Sequence, residues 1–142
     1  MIILDTNVIS ELMRPSPDAA VADWIASRKL LNLAVTTITL AEIHRGLRRL
    51  PTGRRRSDLE HRFSDFLSRG FDDGRILSFD LAAAECYGDT CRLRESKGLH
   101  AEPVDMMIAA VARRVGASLA TRNLGDIEGC GLRLLDAWRA RR

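Results

Sequence analysis

The sequence predicts an α/β domain with a central parallel sheet of about five strands, covered by helices on both faces. Two observations support this fold class. Short apolar runs, each too brief for a helix, alternate with longer stretches in which apolar residues recur at helical spacing. Each run ends in polar residues before the next helix, as expected for parallel strands joined by right-handed crossovers. The length suits one domain, so we expect residues 1–142 to form a single unit.

Five apolar runs are the predicted strands. The first, residues 1–4, ends at the polar triplet Asp5-Thr6-Asn7, which indicates a buried strand followed at once by a helix. The other four predicted strands cover residues 31–35, 75–79, 118–121 and 132–135.

Helical periodicity and capping residues define the connections. The predicted helices run from a Thr6 or Asn7 cap to Arg14, from a Ser16 cap with Pro17 at the first helical position, from about 38 to 50, through 59–67 to about Gly70, from an Asp80 cap to about Lys97, and from Pro103 to Gly116. Residues 72–74 and 121–126 are expected to form turns, and residues 137–142 a basic, frayed tail.

Composition excludes several classes of protein. The chain has 46% apolar and 29% charged residues, which is ordinary for a globular protein. No apolar run approaches the roughly 20 residues that span a bilayer, and the chain begins on a strand rather than a signal segment, so we expect a cytoplasmic protein without membrane contact. Cys86, Cys91 and Cys130 match neither a disulfide framework nor a zinc motif and are expected to be buried thiols.

The positive charge is carried almost entirely by arginine. Of the 22 cationic residues only Lys29 and Lys97 are lysines. Arginine suits phosphate recognition, although GC-rich codons would produce the same bias. The densest stretch could follow a phosphate backbone or simply form a solvated face; its candidate residues are Arg45, Arg48, Arg49, Arg54, Arg55 and Arg56.

Four acids are expected to meet at one edge of the sheet. Asp5 follows the first strand, Asp126 lies in the turn after the fourth, and Glu42 and Asp105 lie in first turns of predicted helices. The carboxyl ends of parallel strands share an edge, where such folds place their ligands. Simpler interpretations remain open, because Asp5 could only cap a helix, Glu42 could belong to a capping box with Thr39, and Asp105 could only complement a helix dipole.

Carboxylates gathered at one place repel one another and favour a compensating cation. Oxygen ligands without histidine or cysteine favour Mg²⁺, or Mn²⁺ as a substitute. A metal that keeps some of its waters suits the hydrolysis of phosphodiester bonds.

The residues also carry a family resemblance. The segments 3–11, 39–43, 105–110 and 121–131 resemble, in this order, the successive motifs of PIN-domain ribonucleases, specifically the VapC toxins of toxin–antitoxin pairs and their FitB-like branch. The resemblance covers the whole chain and implies a PIN fold and a metal-dependent endoribonuclease. It further implies that Asp5 and Asp105 ligate magnesium, that Glu42 completes the metal shell or positions the water, and that Asp126 is the fourth acid. Supporting hydrogen bonds would come from Thr6, Thr121 and Asn123.

The same resemblance implies partners. A small antitoxin of the VapB or FitA type would hold the enzyme inactive, and the toxin would be a homodimer, paired further in an assembly that binds promoter DNA through the antitoxin. Freed of antitoxin, it would cut RNA, commonly tRNA or another structured RNA. As a separate hypothesis, we expect the arginine stretch to contact that RNA.

Two other classes compete with this interpretation. A phosphoacceptor receiver domain needs an acidic pair after its first strand and a lysine after its fifth, and the chain has Asp5 alone and no lysine beyond Lys97. A PIN-like module that binds RNA or protein without cutting would be expected to lack one of Asp5, Glu42 or Asp105, and all three are present.

Overall fold

The computed structural model describes residues 1–71 and 74–140. Within them, five parallel strands alternate with seven α-helices and one 3₁₀ turn. The elements are β1 (Ile2–Leu4), α1 (Thr6–Leu12), α2 (Ala19–Ala26), the 3₁₀ turn (Leu30–Asn32), β2 (Leu33–Thr36), α3 (Thr37–Arg49), α4 (Arg54–Gly70), β3 (Ile76–Leu77), α5 (Leu81–Glu95), α6 (Pro103–Val115), β4 (Ser118–Ala120), α7 (Leu124–Ile127) and β5 (Leu134–Leu135).

The strands are arranged in the order β3-β2-β1-β4-β5, and every neighbouring pair is parallel. Ile3 of β1 lies opposite Ala34 of β2 on one side and Leu119 of β4 on the other. The chain builds outward from β1 in one direction, then crosses back to continue from β4 in the other. The carboxyl ends of β1 and β4 therefore flank the switch point of the sheet, where open α/β folds bind ligands.

Each face of the sheet carries its own hydrophobic core, because neighbouring strand residues point to opposite faces. Leu4 packs with side chains of α1 to α4, including Val8, Ile43 and Phe63. Ile3 packs on the other face with buried residues of α5 to α7, among them Met106. Helix α6 is buried nearly all round, as its apolar sequence predicts, and it ends at Gly116 in the left-handed conformation (φ +67°).

Several local predictions were wrong at the helix caps. Asp5, not Thr6 or Asn7, caps α1, since its carboxylate accepts the Thr6 N–H. Asp18 caps α2, so Pro17 precedes the cap instead of occupying the first helical position. All of these residue types except proline can act as caps, and the choice depends on where the chain leaves the preceding element.

Strand β2 begins later than predicted. Leu31 is 79% exposed and lies in the 3₁₀ turn, and pairing starts at Leu33, opposite Ile2. Strand β3 is two residues long instead of five, and β5 covers only the last two of four predicted residues. The apolar pattern marked each strand, but pairing with the neighbouring strand sets its ends.

The C-terminal segment was also misjudged in part. Ala137 is fully buried and Trp138 packs against the core, with the guanidinium of Arg122 5.2 Å from its ring. Residues 141–142 of the predicted tail and residues 72–73 of the predicted turn lie outside the described residues. Of the predicted buried thiols, Cys130 is buried, whereas Cys86 and Cys91 are partly exposed. No helix in the described part of the chain combines the length and the apolar character needed to cross a membrane.

Candidate active site

Asp5 occupies the carboxyl end of β1 and is almost fully buried, with 5% exposure. Its Oδ1 accepts the Thr6 backbone N–H at 2.8 Å, which caps α1. Its Oδ2 accepts the Thr121 hydroxyl at 2.7 Å and the Asn7 side-chain amide at 3.0 Å. Asp5 is thus a helix cap, as the simpler interpretation proposed, and also the centre of a polar network at the switch point.

The pKa of Asp5 is raised above its ordinary value, and burial is the largest cause. The hydrogen bonds from Thr121, Thr6 and Asn7 act in the opposite direction because they stabilise the ionised form. The negative charge of Asp126 raises the pKa further. Two of the predicted acids therefore act on each other at this edge of the sheet.

Thr121, directly after β4, joins the two central strands through its side chain. Besides donating to Asp5, its hydroxyl accepts the Asn7 amide at 3.2 Å and the Asn123 backbone N–H at 3.0 Å. Asn7 in turn accepts the Arg122 backbone N–H at 2.9 Å. The Thr121 hydroxyl therefore links Asp5 to Asn7, and Asn123 joins this network through its backbone N–H.

Glu42 is linked to the same network from α3. The Thr6 hydroxyl donates to Glu42 Oε1 at 2.6 Å. The helix begins at Thr37, so Glu42 lies in its second turn instead of the predicted first. The proposed capping box is not formed, because Thr36 accepts the Thr39 N–H and caps the helix in its place. The Glu42 carboxylate is thereby directed to the start of α1.

Asp105 lies in the first turn of α6, as predicted. Its backbone N–H donates to the Glu102 carboxylate at 2.9 Å, so Glu102 caps the helix. The pKa of Asp105 is raised from 3.8 to about 6, chiefly by burial, then by the negative charges of Glu102, Asp5, Asp126 and Glu42. All four predicted acids thus share one electrostatic neighbourhood, and Glu102 adds a fifth.

Asn7 and Glu102 also belong to this site, and neither was among the predicted site residues. Asn7 was considered only as a cap, although its position in the polar triplet after β1 was the available signal. Glu102 directly precedes Pro103, and a carboxylate before a proline at the first helical position is a recognisable cap.

Asp126 was expected in a turn and instead lies in α7, where it is exposed. Among residues 1–71 and 74–140, no three histidine, cysteine, aspartate or glutamate side chains stand close enough together to hold a metal ion. The chemistry of the donors nevertheless fits magnesium, which proteins commonly bind through one or two carboxylates together with waters and phosphate oxygens. Asp5 and Asp105 are the two acids whose raised pKa values indicate a site where a cation would relieve unfavourable negative charge.

A cavity of about 930 Å³ opens beside Thr6 and Glu42, between α1, α3 and α4. Its walls are mostly apolar and include Ile43, Leu47 and Leu59. Four arginines line it: Arg14, Arg54, Arg55 and Arg62. The cavity therefore connects Arg54 and Arg55 of the predicted arginine stretch to Glu42, one of the acids of the candidate site.

The candidate arginines differ in their placement. Arg54 and Arg55, the first residues of α4, line the cavity and have no ion-pair partner among the described residues. Arg56 is turned to Glu60, with Nε 2.9 Å from Oε1, and its hydrogen bond, followed by its charge, lowers the pKa of Glu60. The remaining three, Arg45, Arg48 and Arg49, are exposed on α3 and are not part of the cavity lining.

Comparison with known proteins identifies relatives of this chain. Residues 2–125 match the model of the PIN domain family. The chain is 38% identical to the VapC ribonuclease Y4jK of Sinorhizobium fredii, covering 97% of this chain and 98% of that protein. It is 33% identical to toxin FitB of Neisseria gonorrhoeae, covering 97% and 99%.

Solved structures agree with these matches. The structure of FitAcB from Neisseria gonorrhoeae contains a chain that superposes with a TM-score of 0.89 at 33% identity, covering 98% of this chain and 99% of that one. A chain in the structure of FitAB bound to an IR36 DNA fragment superposes with a TM-score of 0.91 at 32% identity, covering 100% and 99%.

Proposed function

The chain belongs to the PIN domain family, and from that membership we propose that it is the ribonuclease toxin of a toxin–antitoxin pair. Its relatives of similar length are named a VapC ribonuclease and a toxin, and the alignments cover nearly the whole of each. The observation that carries the proposal is the shared electrostatic neighbourhood of Asp5, Glu42, Asp105 and Asp126 at the switch point of the sheet.

We assign the metal to the acids of this edge. Asp5 and Asp105 would ligate Mg²⁺, with Mn²⁺ as a substitute, and Glu42 would complete the shell or position the attacking water. When bound, the ion would lower the pKa of a water and stabilise the leaving oxygen of a phosphodiester. Thr6 and Thr121 hold the carboxylates of Glu42 and Asp5 in place through their hydroxyls.

Asp126 is the fourth acid of the proposed site. Its charge reaches both Asp5 and Asp105, but it is exposed on α7. We propose that it acts on the metal or its waters from the outer side of the site, with the Asn123 backbone fixing the turn before it through Thr121.

We propose that RNA reaches the acids through the cavity between α1, α3 and α4. Arg54 and Arg55 would contact its phosphates, because they line the cavity and have no carboxylate partner among the described residues. Arg56 is paired with Glu60, and the arginines of α3 lie off the cavity, so we expect smaller contributions from them.

This assignment can be tested with two double variants. Neutralising Arg54 and Arg55 to glutamine should weaken RNA binding and reduce the slope of log affinity against log salt by about 1 to 2, since each lost phosphate contact removes nearly one released counterion. Arg48→Gln with Arg49→Gln removes the same charge from α3 and is the matched control. If RNA affinity and its salt dependence fall equally in the two double variants, the effect comes from the net charge of the protein and not from the arginines of the cavity.

Partners follow from the proposed function. We propose a small antitoxin of the FitA or VapB type, a homodimeric toxin, and a joint complex in which the antitoxin contacts promoter DNA. The cytoplasm is the proposed compartment because RNA and antitoxin would both be met there. Size-exclusion chromatography with light scattering, with and without the co-expressed antitoxin, would measure these assemblies.

The central experiment compares induced expression of the wild type and of Asp5→Asn. Asparagine is also a good helix cap, so the substitution removes the charge while keeping the α1 cap. Asp80→Asn, at the Asp80 cap of α5, makes the same chemical change away from the acids and is the control.

We expect the wild type and Asp80→Asn to arrest growth and to produce discrete RNA fragments, and Asp5→Asn to do neither. Purified wild type, folded and free of antitoxin, should cut RNA with Mg²⁺ or Mn²⁺ and lose activity with EDTA. If this protein cuts no RNA with either ion, the chain is a non-catalytic binding module and the ribonuclease proposal is wrong.

A further inference from the structure

A buried arginine behind the candidate site has no role in the proposed chemistry. Arg94 lies near the end of α5 and is only 5% exposed. Its guanidinium donates through Nε to the carbonyl of His100, through Nη1 to that of Glu128 at 2.8 Å, and through Nη2 to that of Gly125 at 3.0 Å. Within the described residues, no carboxylate forms an ion pair with it.

The three carbonyls belong to two segments that carry acids of the site. Gly125 lies within α7 and Glu128 directly follows it, so these two bonds bracket Asp126. His100 lies in the short loop that leads to the Glu102 cap and then to Asp105. One guanidinium therefore ties the segment of Asp126 to the segment of Asp105.

The three hydrogen bonds of Arg94 are better suited to positioning these segments than to stabilising the fold. A four-residue helix has no stability of its own, and its last carbonyls need donors from elsewhere. Burying a charge without a carboxylate partner lowers the stability of the folded protein. Replacing buried charged groups by apolar residues of similar volume often leaves that stability unchanged or raises it. A planar guanidinium with several fixed donors, however, can set the relative position of three carbonyls at once.

We propose that Arg94 is a positioning residue of the active site, which fixes α7 and the loop before α6 and thereby the placement of Asp126 relative to Asp105. This inference rests on the proposed function for its catalytic consequence. Lys97 supports the same region from the surface, where its Nζ donates to the Gly129 carbonyl at 3.2 Å, and its contribution is smaller because it is exposed.

The test uses Arg94→Met, which keeps side-chain length without donors, and Arg94→Lys, which keeps the charge without the planar fork. The matched control is Arg113→Met, because Arg113 also bridges elements on this side of the sheet, donating from α6 to the Thr90 hydroxyl of α5 at 2.9 Å. All are compared as full chains. The first readout is amide hydrogen exchange of the metal-free proteins, and the second is RNA cleavage.

Arg94→Met should speed exchange of the Asp126 and Glu128 amides, which bond to Asn123 and Leu124, by at least about tenfold, the loss expected for one hydrogen bond from a charged donor. Amides of β1 and β4 should be unchanged. Cleavage should show a kcat reduced at least about tenfold with KM within about twofold, since RNA contacts lie elsewhere. Arg94→Lys should recover part of both effects, and Arg113→Met should show neither.

Unchanged exchange at residues 124–128 would overturn the proposal, as would equally faster exchange throughout the chain, which marks a purely structural role. If Arg94→Met does not fold, Arg94→Lys decides, and full wild-type exchange and kcat in that variant would likewise overturn it. If the wild type itself cuts no RNA, the ribonuclease proposal fails, while the exchange data still show whether Arg94 orders α7.

Discussion

Replacing Asp105 by asparagine should make the metal-free protein more stable at neutral pH, although it removes a proposed catalytic group. The reason is that the ionised carboxylate lies in an unfavourable place, partly buried and surrounded by four other negative charges. Asparagine has nearly the same shape and no charge. An acid that lowers the stability of the folded protein is expected at positions where function requires its charge.

The size of the effect follows from the pKa of Asp105. The shift from 3.8 to about 6 corresponds to at most about 3 kcal/mol, at about 1.4 kcal/mol per unit. Because the side chain is only half-buried, solvent screening reduces the expected value to about 1 to 2 kcal/mol. For a domain of this size the melting temperature should rise by about 3 to 8 °C.

The pH dependence has a definite direction. Between the two pKa values the folded wild type binds more protons than the unfolded chain, so its stability falls as the pH rises from about 4 through about 6. Asp105→Asn lacks this loss. The free energy of unfolding of Asp105→Asn should therefore exceed that of the wild type only slightly near pH 4, and by the full amount above about pH 7.

The assay is urea and thermal denaturation in EDTA across this pH range. Asp89→Asn is the control, because Asp89 is 69% exposed and its partner, Arg92, is equally exposed, so its substitution should leave the pH profile unchanged. Adding Mg²⁺ should narrow the difference by stabilising the wild type. An Asp105→Asn protein that is less stable at every pH, or whose advantage does not change with pH, would refute the reasoning.

Three further predictions concern neighbouring residues. Thr6→Val removes the hydroxyl that holds Glu42, so RNA cleavage should fall at least about tenfold while the free energy of unfolding changes by about 1 kcal/mol; Thr6→Ser should retain activity. Thr121→Val removes a hydrogen-bond donor to Asp5, which should raise the pKa of Asp5 further and move the pH of half-maximal cleavage upward. The same change should lower the free energy of unfolding by about 1 to 3 kcal/mol. Gly116→Ala places a side chain in a left-handed cap (φ +67°) and should cost about 1 kcal/mol in thermal denaturation without changing cleavage at a permissive temperature.

The parts of the fold that could be predicted are those with a local pattern. Four apolar residues followed by a polar triplet marked β1 and placed Asp5 at its end, and helical spacing with Pro103 and Gly116 marked α6. The parallel sheet followed from the alternation of strands and helices. Each of these features depends on residues close together in the sequence.

The remaining features depend on contacts between distant segments. Leu31 is as apolar as Leu33, but the pairing with β1 begins only at Leu33, two residues later. Trp138 directly precedes the basic residues of the predicted tail, yet packs against the core. Arg94 binds carbonyls that are 31 and 34 residues away, and no local signal distinguishes it from the solvated arginines. Tertiary packing decides all three.

The hydrogen bond from Thr121 to Asp5 joins residues that are 116 positions apart. It forms only after β4 has entered the sheet beside β1, and such long-range pairing comes at a high cost in loop entropy. During synthesis the first strand therefore leaves the ribosome long before its polar network can be completed. A chain that has not yet exposed Thr121 holds Asp5 without its strongest donor, so a partly made molecule lacks the assembled site, and hydrolytic activity would begin only when nearly the whole protein has been made.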